Sequence, residues 1–233
     1  NGDVFDLYNF FSKDNQGNLE LVSDLDLDEE GNLWMVATIS GMYKLNSNTG
    51  IVENYDIGGG FLRFQEDHNG STWLTNLNSG IYILNSDQGS IKQFILPIEK
   101  IERAAGYGIA EDKNGNLWIG YTNMLAIINA ERNSIRLIGK KDGLSTNIPY
   151  EFTEDPKGNV WISSISREAK SISLSEKKIF TLGRDQGFSG STRNVVLDPL
   201  QRIWIVDNDT VFVFDPASNQ LKKIPTGAAF RTT

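Results

Sequence analysis

The sequence predicts an all-β chain built from five copies of one four-stranded antiparallel unit. The five tryptophans are separated by 39, 45, 43 and 43 residues, and each ends a variant of one phrase, most clearly EDKNGNLW at 111–118. Short apolar runs alternate with clusters of Asn, Asp and Gly, and no stretch shows sustained helical periodicity. Repeats of this length are typical of proteins that stack similar units, each covering its neighbour.

The repeated phrase is predicted to form a tight turn followed by a buried strand. An Asp lies six residues before each Trp, and a Gly lies three residues before it in every copy except the fifth, which has Gln201. Asp at the first position of a four-residue turn accepts backbone hydrogen bonds, and Gly at the fourth tolerates positive φ. An indole ring that opens the next strand can then cover the neighbouring repeat. The residues assigned to this structural role are Trp34, Trp73, Trp118, Trp161, Trp204, Asp28, Asp67, Asp112, Asp155 and Asp198.

A metal-binding loop is the alternative interpretation of these turns, because carboxylate and amide oxygens bind calcium. Such a loop needs about six to eight oxygen ligands from regularly spaced positions. Here the residue after the Asp varies among Glu29, His68, Lys113 and Pro156. We therefore predict structural turns, and we expect neither a metal nor another cofactor.

Each repeat is predicted to contain four short strands, a to d. In the first repeat we place strand a at 21–27, the turn at 28–31 and the remaining strands at 33–38, 42–46 and 51–56. Asn, Asp and Gly mark the connection between strands c and d in most repeats. The fourth repeat (173–178) lacks these residues, so we expect a tighter turn there.

Strand a carries one uniform position and two variable ones. The residue nine positions before Trp is apolar in every copy and is assigned to the core: Leu25, Phe64, Ile109, Phe152 and Val195. The two residues before it differ in size and charge from copy to copy. Such divergence within a strict repeat favours a position that faces a channel or pocket, although unequal packing would produce the same scatter.

Units of four strands with one Trp each predict a β-propeller. We expect an outer strand of a preceding incomplete blade at 1–16, blades at 17–57, 58–97, 98–140, 141–183 and 184–226, and a tail or the start of another blade at 227–233. All of these ranges are assigned to one propeller domain. The two ends repeat the same kind of strand instead of complementing each other, so we expect the chain to be part of a longer propeller.

Three segments carry a family resemblance: EDKNGNLWIGYT (111–122), EDPKGNVWISS (154–164) and DGLSTN (142–147). They resemble the regulator-propeller repeats of bacterial hybrid two-component sensors, and the likeness covers essentially the whole chain. The second repeat departs from the pattern with STW, and the fifth departs with Leu197 and Gln201. The resemblance implies about seven blades, a periplasmic location, recognition of glycan breakdown products, a homodimer in the intact protein, and signalling to a membrane-linked kinase. This segment itself would be input only.

Composition excludes several functions. Thirty acidic residues against 22 Lys and Arg give a net charge of −8, which argues against nucleic acid or an anionic membrane as partner. Cysteine is absent, so disulfides, thiolate nucleophiles and Cys-ligated zinc are excluded. No apolar run approaches the roughly 18 residues of a membrane helix. Because the chain begins with Asn1, we expect it to be a processed or excised piece.

A ligand site is expected at one mouth of the propeller, on loops held by a rigid scaffold. The d–a and b–c connections meet there. They carry Tyr rings, which can stack on sugars, and Arg and Asn side chains, which can bond hydroxyls or carboxylates. Seven ligand-binding candidates follow: Arg103, Tyr107, Tyr121, Asn147, Tyr150, Arg167 and Arg193. The expected ligand is an oligosaccharide or another small molecule. For each residue the alternative is a solvated loop position or a Tyr packed between blades.

Catalysis is not predicted. His68 is the single histidine and lies in a predicted turn, where it is a poor general base, and the resemblance of the repeats to streptogramin-opening lyases would imply a histidine near the channel. Asp24 and Glu151 are candidate carboxylates for a glycosidase, but they lie three repeats apart. The acids seven residues before Trp recur with the repeat and are assigned to structure. A protein-interaction scaffold is the main alternative to a sensor, and a carbohydrate-active or lyase enzyme is the less favoured one.

Overall fold

The structure is a computed structural model that describes residues 21–28, 30–85, 88–94, 105–144, 148–208 and 210–225. The chain divides into two compact units, Asn1–Gly106 and Tyr107–Thr233. The strand expected at 1–16 and the tail expected at 227–233 lie outside the described residues. The limits of the individual blades stay a prediction, because several of them fall in the same undescribed stretches.

The first unit contains two four-stranded antiparallel sheets, in which consecutive strands are neighbours. The first sheet consists of β1 (Val22–Leu27), β2 (Leu33–Ala37), β3 (Gly41–Leu45) and β4 (Val52–Tyr55). The second sheet consists of β5 (Phe61–Glu66), β6 (Thr72–Asn76), β7 (Gly80–Asn85) and β8 (Ser90–Phe94). Between them lies a core of Trp34, Val36 and Met42 packed with Phe61 and Leu74.

The second unit contains three such sheets. The third sheet, whose first residue ends the preceding unit, has β9 (Gly106–Glu111), β10 (Leu117–Tyr121), β11 (Met124–Ile128) and β12 (Ile135–Gly139). The fourth has β13 (Pro149–Glu154), β14 (Val160–Ser164), β15 (Ala169–Ser173) and β16 (Lys178–Leu182). The fifth has β17 (Thr192–Leu197), β18 (Ile203–Asp207), β19 (Thr210–Asp215) and β20 (Gln220–Pro225). One bridge, between Ser164 and Thr192, joins the fourth and fifth sheets. The predicted all-β class with four-stranded blades is confirmed.

The repeated phrase folds into one hydrogen-bonded unit in all five sheets. The indole Nε1–H donates to the carboxylate of the Asp six residues earlier, at 2.7–3.0 Å. The other carboxylate oxygen accepts the backbone N–H four residues after the Asp, at 2.7–3.0 Å. The Asp thus bonds both the turn and the Trp that follows it. The sequence predicted the turn but not the bond to the indole.

The fourth position of the turn adopts the left-handed conformation that favours glycine. Its φ lies between 75° and 79° in the four copies with Gly, and it is 64° at Gln201. In that fifth copy, partial desolvation raises the pKa of Asp198, but hydrogen bonds from Arg202 and Trp204 outweigh it and lower the pKa to about 2. The turn survives without its glycine because the carboxylate still bonds the chain around it.

The core assignment of strand a is confirmed in part. Ile109 and Val195 are buried, and Phe64 and Phe152 are half-buried against the preceding sheet of their unit. The assignment of Leu25 to the core is wrong, because its side chain is 62% exposed. Leu25 lies on the face of the first sheet opposite Trp34, and it is the Trp34 face that packs on the second sheet.

The connection between β15 and β16 spans residues 174–177, and Lys177 takes a positive φ of 54° to close it. The tighter turn expected in this repeat is wrong with respect to the second and fifth sheets, whose connections at 86–89 and 216–219 have the same length. The connection is shorter only than those of the first and third sheets, at 46–51 and 129–134.

Candidate functional site

Two d–a connections of the second unit repeat a short anchored motif. Each contains a 3₁₀ turn, Lys140–Asp142 or Arg184–Gln186, followed by a glycine with φ above 90°. The glycine before the turn donates its N–H to the side chain of Asp142 or Gln186, at 2.9 and 2.8 Å. These bonds hold the connection in one shape.

An apolar residue after each turn fastens the connection to the core. Leu144 is buried between the third and fourth sheets, and Phe188 is buried between the fourth and fifth. The ring of Phe188 stacks on Phe212 with centroids 3.9 Å apart. The backbone of these connections is therefore rigid, while the charged residues of the 3₁₀ turn point to solvent. Rigid loops with exposed polar groups are suited to binding.

A pocket of ≈ 430 Å³ lies at this end of the fourth sheet. It is formed by the b–c connection of that sheet and by the d–a connection that leads to the fifth. We call it the mouth pocket, and its lining is Ile165, Ser166, Arg167, Glu168, Gly183 and Arg184. Among the predicted site residues that the structure describes, only Arg167 lines it.

The charges of the mouth pocket are not balanced. Glu168 pairs with the Nζ of Lys170 at 3.3 Å, and this ammonium also donates to Thr181 Oγ1 at 2.9 Å. The side chain of Lys170 is only 2% exposed, so this ion pair is held in place. The carboxylate of Glu168, the acid that lines the pocket, is therefore already paired with a cation. Within the described part of the chain, neither Arg167 nor Arg184 makes an ion pair. Two exposed guanidinium groups therefore remain available for an anionic or hydroxyl-rich ligand.

The other predicted site residues that the structure describes do not line the mouth pocket. Arg103 and Asn147 fall outside the described residues. Tyr121 ends β10 with 1% of its surface exposed, and burial raises its pKa well above the ordinary value, so it fits the alternative of a packed tyrosine. Tyr107 and Tyr150 are half-buried on the first strands of the third and fourth sheets.

Arg193 is exposed on β17, and its carbonyl accepts a hydrogen bond from Ser163 at 2.8 Å. It does not line the mouth pocket. Sequence reasoning missed Arg184, although a signal existed: the segment GRDQGF aligns with GKKDGL, so both belong to the same connection. It also missed Lys170, because its burial depends on packing between sheets.

The acids that recur before the turn phrase serve structure, as predicted. Glu111 pairs with Arg132 at 2.7 Å, and Glu154 accepts the backbone N–H of Lys113 at 2.7 Å. His68 lies exposed in the turn between β5 and β6, as the sequence predicted. No group of three or more potential metal ligands occurs among the described residues. In the same part of the chain, no helix is both long and apolar enough to cross a membrane.

Comparison with known families confirms the resemblance inferred from the sequence. A family model described as two component regulator propeller matches residues 107–123, which hold most of β9, a turn phrase and β10. No curated protein matches the sequence.

Solved structures with the same fold include extracellular domains from B. thetaiotaomicron. One, described as part of a hybrid two component system, has a TM-score of 0.75 at 16% identity over 90% of this chain and 31% of its own. A second with the same description has a TM-score of 0.70 at 19% identity, over 89% of this chain and 28% of its own. The chain thus spans about a third of the length of these domains.

An enzyme also shares the fold. Virginiamycin B lyase from Staphylococcus aureus has a TM-score of 0.71 at 18% identity, over 88% of this chain and 73% of its own. At such low identities the likeness establishes the β-propeller fold, and function has to be argued from the residues themselves.

Proposed function

We propose that this chain is the ligand-sensing input segment of a hybrid two-component signalling protein and that it lies in the periplasm. The mouth pocket carries the proposal, because rigid connections present Arg167 and Arg184 there without a balancing acid. The match to a two component regulator propeller and the fold shared with extracellular domains of such systems support it. The remainder of a longer sensor chain would be its covalent partner, and a homodimer would be the signalling form.

The proposed ligand is an oligosaccharide. Guanidinium groups bond both hydroxyl and carboxylate oxygens in fixed planar geometry, so uronic-acid units are favoured over neutral ones. Binding at the mouth pocket would shift the dimer toward one geometry, because a ligand acts through its different affinities for two states. That shift would be passed to the kinase.

Calorimetry on the intact sensor tests the proposal with uronic, neutral and amino oligosaccharides. The variants Arg167→Gln and Arg184→Gln should each weaken binding by about tenfold, the value of a lost charge-assisted hydrogen bond. Arg136→Gln is the matched control, because Arg136 is exposed on β12 and outside the mouth pocket. Failure of all three sugar classes to bind would refute the proposal, as would equal effects of the control and test variants.

A protein-interaction scaffold is the second candidate. Val22, Leu25 and Leu27 lie on one face of the first strand of the first sheet and are 39%, 62% and 64% exposed. An exposed apolar row of this kind is typical of a surface that another protein or another blade covers. Replacing Leu25 and Leu27 by Ser should abolish partner binding if the scaffold function holds, and leave sugar binding unchanged.

A catalytic function is not proposed. General acid–base chemistry needs a group of suitable pKa placed beside its substrate. The single histidine is in a structural turn, and Glu111 and Glu154 are occupied by structural bonds. Sensing therefore accounts for the mouth pocket better than catalysis does.

A further inference from the structure

The fourth sheet differs from the other four sheets in the two side chains that lie beside its Trp on the third and outermost strands. In every sheet the Trp of the second strand has a cross-strand neighbour on the third strand and a further one on the outermost strand. These pairs are Lys44 and Glu53, Ile83 and Lys92, Ile127 and Arg136, Ser171 and Phe180, and Val213 and Lys222. Four sheets thus have a side chain larger than serine beside the Trp and a charge on the outer strand. The fourth has a small serine and an aromatic ring.

The substitution opens a pocket. Ser171 leaves the space that Ile127 occupies in the third sheet, and the resulting cavity measures ≈ 240 Å³. Trp161, Phe180 and Phe214 form a ring cluster along it, with centroids 6.0 Å apart for Trp161–Phe180 and 5.7 Å for Phe180–Phe214. Phe180 remains 43% exposed, so an aromatic surface faces solvent. We call this the turn-side pocket, since the a–b and c–d turns border it.

The equivalent space in the third sheet has a different lining. There the six-residue turn carries Arg132, whose guanidinium bonds the carbonyl of Gly115 at 2.6 Å and Glu111 at 2.7 Å. The four-residue turn of the fourth sheet has Glu176 at the edge of the cavity instead. Ser171, Phe180 and Glu176 thus give the turn-side pocket a lining that differs from the corresponding residues of the third sheet.

The rim of the turn-side pocket carries two acids and two lysines: Asp155, Glu176, Lys157 and Lys178. Asp155 bonds Asn159 and Trp161, so its carboxylate is occupied. Lys157 donates to the carbonyl of Pro216 at 2.6 Å, and within the described residues it makes no ion pair. Lys178 pairs with Glu176 at 3.2 Å, but both side chains are more than half exposed, at 75% and 64%, so solvent weakens that pair.

We propose that the turn-side pocket binds a small organic anion that combines one ring with one carboxylate. The ring stacks on Phe180, and the carboxylate pairs with Lys157 or Lys178. A volume of ≈ 240 Å³ equals about eight water molecules, which is enough for one substituted six-membered ring. The site lies at the opposite end of the strands from the mouth pocket and does not depend on the function proposed for that pocket.

Ligand-detected NMR on the whole protein, followed by calorimetry, tests the proposal with four probes. Benzoate and D-glucuronate supply a carboxylate on an aromatic and on a sugar ring, and benzyl alcohol and D-glucose are their neutral counterparts. We expect at least one acid to bind and its neutral counterpart to bind at least about fivefold more weakly, the effect of one exposed charge pair. Which acid binds identifies the kind of ring.

Three variants locate the site. Ser171→Ile introduces the residue that the third sheet has at this position and should abolish binding. Phe180→Arg introduces the residue of the third sheet on the outer strand and should weaken binding by about threefold to tenfold. Lys157→Gln, which replaces an exposed side chain and its hydrogen bond to the Pro216 carbonyl, should weaken binding by about fivefold and guards against a folding defect in the other two. Arg136→Gln, which lies outside both pockets, should leave binding unchanged.

Three results would overturn the proposal. The first is the absence of binding by both acids at millimolar concentration. The second is binding that survives Ser171→Ile in a protein whose thermal unfolding is still cooperative. The third is loss of binding in Arg167→Gln alone, which would place the ligand in the mouth pocket.

Discussion

Removing the Asp155 carboxylate should strongly destabilise the fourth sheet. This carboxylate is buried and accepts hydrogen bonds from the backbone N–H groups of Lys157 and Asn159, at 2.9 and 3.0 Å, and from the indole of Trp161 at 3.0 Å. It also accepts from the side-chain amide of Asn159. In the Asp155→Ala variant, all of these donors lose their acceptor at once.

The magnitude follows from the burial of the donors. A buried donor left without a partner costs about 1–3 kcal/mol, and a hydrogen bond to a charged group contributes about 1.5–3 kcal/mol. The Trp161 indole is buried in the core and cannot turn to water, whereas the turn N–H groups are near the surface. We therefore expect Asp155→Ala to lower the free energy of unfolding by about 3–5 kcal/mol.

Guanidinium denaturation at neutral pH measures this loss, and a double-mutant cycle with Trp161→Phe isolates the indole bond. The coupling energy should be about 1.5–3 kcal/mol. Asp215→Ala is the matched control, because Asp215 also bonds its own turn, through Ala217 and Ser218, but at an exposed site. Its cost should stay within about 1 kcal/mol. A coupling energy near zero, or equal costs for Asp155→Ala and Asp215→Ala, would refute the argument.

Three further predictions concern the same scaffold. Gln201→Gly should raise the free energy of unfolding by about 1 kcal/mol in denaturant titrations, because φ is 64° there and glycine adopts it without strain; an unchanged midpoint would contradict this. Gly108→Ala should lower the melting temperature sharply or prevent folding, since a Cβ at Gly108 would collide with the carbonyl of Tyr150. Gly183→Ala is the control and should be tolerated, because the atoms nearest to its Cβ would be 3.7 Å away. Asp198 has a pKa lowered to about 2 in the folded state, so the stability it contributes is present above pH ~4 and is lost as pH falls toward 2. In Asp198→Asn the free energy of unfolding should depend less on pH over that range. An unaltered pH profile would count against this prediction.

The repeat was predictable because its interactions are local. The Asp, the Gly and the Trp of each phrase lie within seven residues, so turn chemistry alone specifies how they meet. Alternating apolar residues likewise marked the strands. The missing turn residues of the fourth repeat were misleading, because its c–d connection is as long as those of the second and fifth sheets. Leu25 shows the limit of this reasoning. Its apolar character matches that of Phe64 and Val195, but burial depends on which face of a sheet another sheet covers.

The candidate sites depended on contacts between residues far apart in the chain. Arg184 meets Arg167 only because two connections of the fourth sheet lie side by side, and Tyr121 is buried by packing that no local pattern encodes. The pocket beside Ser171 and Phe180 likewise needs the strand register that places both residues next to Trp161. The sequence by itself determined the repeat, its turns and the fold class, since these arise from spacing within one unit. The tertiary structure decided which side chains are exposed together, since exposure is set by the neighbouring sheet.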